Sequence, residues 1–227
     1  MNRFGCSAIL FCTFFIFQHL SSTAQGISVS YLIPQNGFLS IPVSPFSIRS
    51  VRVPINDLCG LQTGGSFYIF PGLPMSGLPF ESDEPLRDAT FGVLVPLETY
   101  LVFNSASFKV VFSGGVFGLG FLNSRLDQGA WDRAFMEYQE WSLANGELDL
   151  LNQLGWGWLT GISIEIPVKR KLSISLGVNY LNGSSFSKVS GSFSGYDDTL
   201  GKISTKVDFD EATTELKGIE MSIGVSF

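Results

Sequence analysis

The sequence predicts an all-β fold: an antiparallel transmembrane β-barrel of about eight strands, with one short helix in a long extracellular loop. Three observations carry this. Apolar residues recur at every second position in segment after segment, as in the closing stretch IEMSIGVSF, and period two is the strand period. The connections between those segments alternate strictly between short and long. Past the first 24 residues no run of about 20 apolar residues remains, so the 45% apolar composition is spread over strand faces rather than gathered into membrane-spanning helices.

The N-terminus has a separate purpose. Arg3 supplies a positive start, AILFCTFFIF (residues 8–17) is mostly apolar, and SSTA places Ser22 and Ala24 before Gln25. This is the pattern of a cleavable signal peptide, and the apolar run is too short to cross a bilayer. Phe11, rather than a small residue, precedes Cys12, which disfavours a lipoprotein. The expected organisation is a signal peptide at residues 1–24 and a single outer-membrane β-barrel domain at residues 25–227. Cleavage removes Cys6, Cys12, Arg3 and the only histidine, His19. Cys59 is then alone, which excludes an internal disulfide and a thiol-rich metal site. The remaining 13 basic and 20 acidic residues give a net charge of −7, against nucleic acid as a partner.

The strands follow in order. Residues 27–33, 46–55 and 62–70 have the weakest alternation. Residues 91–103 carry Phe91, Val93, Val95, Leu97, Leu101 and Phe103 on one face. In residues 108–121 the phase slips at Gly114–Gly115, from Phe108, Val110 and Phe112 to Phe117, Leu119 and Phe121. A glycine pair at a phase change predicts a β-bulge. Residues 158–166 set Trp158, Thr160, Ile162, Ile164 and Ile166 against Gly161, Ser163 and Glu165, and residues 171–181 set Leu172, Ile174, Leu176, Val178 and Tyr180 against small and polar residues. The final strand, residues 218–227, carries Ile219, Met221, Ile223, Val225 and Phe227 on one face.

The connections at 56–60, 104–106 and 167–171 are short; those at 34–45, 71–90, 122–157 and 182–217 are long. With eight strands both termini fall on the side of the short turns, the arrangement of a barrel with short periplasmic turns and longer extracellular loops. The loop at 71–85, PGLPMSGLPFESDEP, is expected to be irregular and fixed across the rim. Within the loop at 122–157, Trp131, Ala134, Phe135, Tyr138 and Trp141 fall at spacings of three and four, one face of a helix that Asn145-Gly146 would stop. Such a helix would cap the barrel mouth, receive a partner or lie at the membrane interface, though its acidic polar face suits the last poorly.

The alternating strand that closes on Phe227, together with ISIEIPVKRKLSISLGVNYL and the late GIEMSIGVSF, resembles the small eight-stranded outer-membrane β-barrel proteins of bacteria, in particular those of the Bacteroidetes. The resemblance implies a site in the bacterial outer membrane. It also implies that the barrel-assembly machinery recognises the last strand, with Ile219, Met221, Ile223, Val225 and Phe227 as the assembly signal.

An eight-stranded barrel leaves room inside only for side chains. Arg52, Glu98, Glu165 and Glu220 lie opposite the apolar residues of their strands and are expected to form a charge network in the lumen or to sit at its rim. Three carboxylates exceed what Arg52 neutralises, so water, loop cations or a raised pKa would be required. Barrel enzymes of this resemblance use a histidine with Ser, Asp or Glu partners, and a serine without a basic partner is inert at neutral pH. No enzyme activity and no cofactor are therefore expected. Asp208, Asp210 and Glu211 are read as a solvated acidic loop, with weak divalent-cation binding as the alternative, and Asn182-Gly183-Ser184 as a turn. The function expected is a structural or surface-binding barrel whose partners are outer-membrane lipid, the assembly machinery and an unidentified surface partner. A narrow small-solute channel and a secreted soluble β-sandwich are the alternatives.

Overall fold

The computed structural model of the chain describes residues 26–35, 42–82, 84–169, 172–197 and 201–227. The signal peptide expected at residues 1–24 lies outside the described residues. The elements are β1 (Gly26–Pro34), β2 (Val43–Pro54), β3 (Cys59–Phe70), β4 (Met75–Ser76), β5 (Thr90–Asn104), β6 (Lys109–Leu122), α1 (Gln128–Gln139), β7 (Leu143–Asn152), β8 (Gly155–Lys169), β9 (Leu172–Asp197) and β10 (Gly201–Ser226).

Eight of these strands form a ring in the order β1-β2-β3-β5-β6-β8-β9-β10, closed by the antiparallel pairing of β10 with β1, from Gly26 opposite Ser226 to Pro34 opposite Gly218. This is one closed sheet, not the two packed sheets of a sandwich. The periodicity explains which side faces out. Ile223 (54% exposed), Leu97 (58%), Val116 (52%) and Leu176 (45%) all point away from the axis, while their strand neighbours Ser222, Glu98, Gly115 and Gly177 point inward. An apolar outside with a closed hydrogen-bond ladder is what hydrocarbon demands of a sheet, and the structure is a transmembrane β-barrel. Among the described residues no helix is long and apolar enough to cross a membrane.

Three lipid-facing threonines show the same demand at the atomic level. Thr63, Thr99 and Thr160 turn their hydroxyls onto backbone carbonyls of Pro96 (2.6 Å), Gly114 (3.2 Å) and Ser113 (3.1 Å) on adjacent strands. Each satisfies its own polar group where water is absent.

Several sequence expectations are corrected. The stretch 182–217 is not a loop. β9 and β10 continue through it as a hairpin whose pairing runs from Ser173 opposite Ser226 up to Asp197 opposite Gly201. Asn182, Gly183 and Ser184 are therefore mid-strand rather than a turn, and Asp208, Asp210 and Glu211 belong to β10. Above the barrel rim β7 adds to β9 and the short β4 adds to β10, so the hairpin grows into a protruding sheet. The helix ends at Gln139 with Glu140 in a left-handed conformation (φ 55°), and Asn145-Gly146 lies in β7 instead of stopping it. No bulge occurs at Gly114–Gly115: the registers of β6 with β5 and with β8 run through it unbroken. What changes there is the filling of the lumen, from small residues below to Phe117 and Leu119 above. Register shifts occur elsewhere: β2 carries an extra residue against β1 and twice against β3, between Val43 and Phe46 and between Ile48 and Val51, which explains the weak alternation of that region. Further shifts lie at Phe209–Ala212 in β10 and Pro167–Lys169 in β8.

Candidate functional site

The lumen is built in two layers. Its upper half, toward the long connections, is an apolar plug in which Leu32, Tyr68, Phe70, Leu94, Phe117, Leu119, Leu159, Leu181 and Leu216 pack together, none more than 2% exposed. Its lower half is polar and lined by small residues. Gly161 illustrates why: a Cβ there would stand 1.9 Å from the Asn179 amide oxygen. A cavity of about 60 Å³ remains among Ser28, Gln62, Glu98, Ser163, Asn179 and Ser222. The buried Ser28 hydroxyl lines it without a hydrogen-bond partner among the described residues.

The four charged residues singled out from the sequence all face this lumen and are buried. Arg52 and Glu165 form an ion pair at 2.7 Å. Arg52 also donates from Nε to Gln62 at 3.2 Å, and Gln62 donates to Glu98 at 3.2 Å, so Glu98 joins through an amide relay. The guanidinium lies 5.2 Å from the centre of the Tyr100 ring. Glu220 is placed apart, accepting from the Tyr68 hydroxyl and from the Asn179 amide at 2.8 Å. Arg52 and Glu165 line both the small cavity and a wider vestibule of about 470 Å³ at the short-turn end, where Lys109, Lys169 and Asp57 also face. Their ion pair is thus the partition between the two.

At the opposite end stands a cap. The face of the protruding sheet that carries Val189 and Phe193 continues the inner face of the barrel upward, and α1 packs on it. Asp127 starts the helix by accepting the Ala130 N–H at 3.0 Å. Of the face expected from the sequence, Trp131, Ala134 and Phe135 are buried and Tyr138 is exposed at the edge, whereas Trp141 is buried but lies beyond the helix, which ends at Gln139. The Phe135 ring stacks on Phe193 with centroids 3.8 Å apart, and Trp131 Nε1 donates to the Leu86 carbonyl at 2.9 Å, tying the loop after β4 to the helix. Phe80 from that loop meets Trp131, Phe135, Tyr138 and Phe209.

Three polar anchors of the cap escape sequence reasoning. Arg87, 1% exposed, donates to Thr214 at 2.7 Å and to Asn152, and lies 4.7 Å from the Phe121 ring centre. Burial lowers its pKa to about 10, which leaves it charged at neutral pH. It bolts the loop to β10, β7 and β6 at once. Asp132 accepts the Gly146 N–H of β7 at 2.7 Å; desolvation raises its pKa, opposed by that hydrogen bond and by Arg133. Lys188 pairs with Asp208 at 2.9 Å and Asp210 at 2.6 Å, and those hydrogen bonds raise its pKa. The acidic stretch is therefore already occupied by a lysine, and among the described residues no group of acidic, histidine or cysteine side chains has the geometry to hold a metal ion. Nothing in the local sequence distinguishes Arg87 from any loop arginine. Asp132 is one of three charges on the helix and only the position of β7 selects it.

The C-terminal strand presents Ile219, Met221, Ile223, Val225 and Phe227 outward, each exposed, at the seam where β10 meets β1.

No protein-family model matches the chain, and no curated protein matches it. Among solved structures it is similar to the outer membrane protein OprG from Pseudomonas aeruginosa (13% identity, 88% of this chain and 93% of that chain, TM-score 0.47). It is also similar to Ail, the attachment invasion locus protein of Yersinia pestis (10% identity, 90% and 95%, TM-score 0.36). A third is a major outer membrane protein from Thermus thermophilus (13% identity, 90% and 98%, TM-score 0.37). All three likenesses concern overall shape.

Proposed function

We propose that the chain is a non-enzymatic β-barrel of the bacterial outer membrane, exported by the leader at residues 1–24, with a sealed lumen and with its activity in the cap, as a structural or surface-binding protein. One observation carries the reading: a ring of eight strands closed by β1 and β10, apolar all round its outside. Only a closed barrel or a helix satisfies its backbone in hydrocarbon, and small barrels of this kind belong to outer membranes. The non-enzymatic part rests on chemistry, since the chain after residue 24 has no histidine to activate a nucleophile. The outward row ending on Phe227 is the surface offered to the assembly machinery, and lipid covers the belt. The narrower likeness to Bacteroidetes barrels rests on the sequence of the last strands alone.

The test is electrophoretic mobility of the membrane fraction in SDS, unheated against boiled. A closed barrel migrates differently before and after boiling; a soluble product without a shift overturns the reading.

A further inference from the structure

We propose that the upper edge of β10, from Lys202 to Phe209, is a docking edge for an extended segment of another protein in which acidic and apolar residues alternate. β10 pairs there with β9 on one side only. On its other side, among the described residues, pairing begins lower down, where Thr213 and Thr214 meet Ser76 and Met75. The loop closes on the strand at Gly77, where a Cβ would stand 2.3 Å from the Glu211 carbonyl. Above Glu211, among the described residues, no strand pairs with this side of β10. The other edge of the same sheet differs: on β7 the Gly146 N–H is already taken by Asp132. An open edge offers unpaired N–H and C=O groups on alternate residues, and an added strand takes them up.

The side chains define what fits. Lys202 and Lys206 are exposed on the face turned away from α1, and neither forms an ion pair among the described residues, whereas Lys188 on the neighbouring strand is held by Asp208 and Asp210. On the opposite face Ile203, Val207 and Phe209 are half-buried, packed against the cap core but not covered by it. A strand paired here sets its alternate residues beside the lysines and the rest beside that apolar row. Acidic residues in the first set and aliphatic ones in the second complement both.

Lysines on an edge also serve as guards against pairing, and the experiment separates the two roles. It rests on the cap lying outside the membrane, as proposed above, so the SDS mobility shift is recorded on the same preparation; a lost shift sinks the barrel reading, an intact shift with failed binding sinks only the docking edge. The full chain in detergent micelles is titrated against a fluorescent ten-residue peptide alternating glutamate with valine, by anisotropy. Saturable binding is expected, weakened about tenfold or more by Lys202→Glu with Lys206→Glu and by added salt. N-methylation of alternate peptide residues, which removes main-chain donors, is expected to abolish it. The proposal is overturned by no saturable binding up to about 1 mM, by equal binding of a lysine–valine peptide, or by tighter binding once both lysines become serine. Self-association of the chain through this edge in place of peptide binding overturns it as well.

Discussion

Arg52 and Glu165 illustrate how much depends on a single partner inside a barrel. Their side chains are 10% and 8% exposed, so each charge has given up most of its water. Arg52→Ala leaves Glu165 buried without its partner and is expected to cost about 3–5 kcal/mol, read from urea unfolding in micelles. Replacing both by Met is expected to stay within about 2 kcal/mol of native, because no orphaned charge remains. Asp132 gives a pH dependence of definite sign. Its native pKa is raised above 3.8, so its contribution is fully present below its unfolded pKa and is lost as pH rises through the raised native value. Asp132→Asn keeps an acceptor for the Gly146 N–H and removes the ionisation. The difference in cap unfolding between pH 3 and pH 7, followed by tryptophan fluorescence, is expected to shrink in that variant.

At the scale of elements, α1 depends on its ends. Asp127→Ala removes the N-cap and is expected to cost about 1 kcal/mol, seen as faster amide exchange at Ala130 with the barrel's SDS mobility shift unchanged. The strands of the ring were legible from period two because Ile, Leu, Val and Phe mark one face throughout. The upper hairpin was not. In KVSGSFSGY the large buried side chains are Val189 and Phe193, but the residues between are serine and glycine, a composition that reads as loop unless the sheet is already known to protrude. β7 was hidden for the opposite reason: Asn145-Gly146 is a strong turn signal, and only pairing with β9 overrides it. The helix face was legible because its packing follows a 3.6-residue period. Lumen residues were legible as facing inward, since direction follows from alternation. Their grouping into Arg52–Glu165–Glu98 apart from Glu220 was not, because it depends on which strands adjoin across the ring.

For the whole molecule, the seals act in series. The ion pair partitions the vestibule from the small cavity, the apolar plug fills the upper lumen, and the cap stands above it. No conductance is expected in planar bilayers, and opening the lower partition by Arg52→Ala with Glu165→Ala is expected to leave it at zero, since the plug is untouched. Ohmic current from the native chain would revive the channel alternative. The cap also differs from the barrel in what shapes it: the barrel presents its apolar residues outward to lipid, whereas the cap gathers Trp131, Phe135 and Phe193 inward in the manner of a water-soluble domain.

The 26-residue strands β9 and β10 belong to both bodies at once, and they follow α1 and β7 along the chain. α1 packs on the inner face of this hairpin and β7 pairs with β9, so neither is complete until the hairpin is in place. The outermost part of the protein is therefore completed only together with the staves that close the wall, and a chain truncated before β9 loses both.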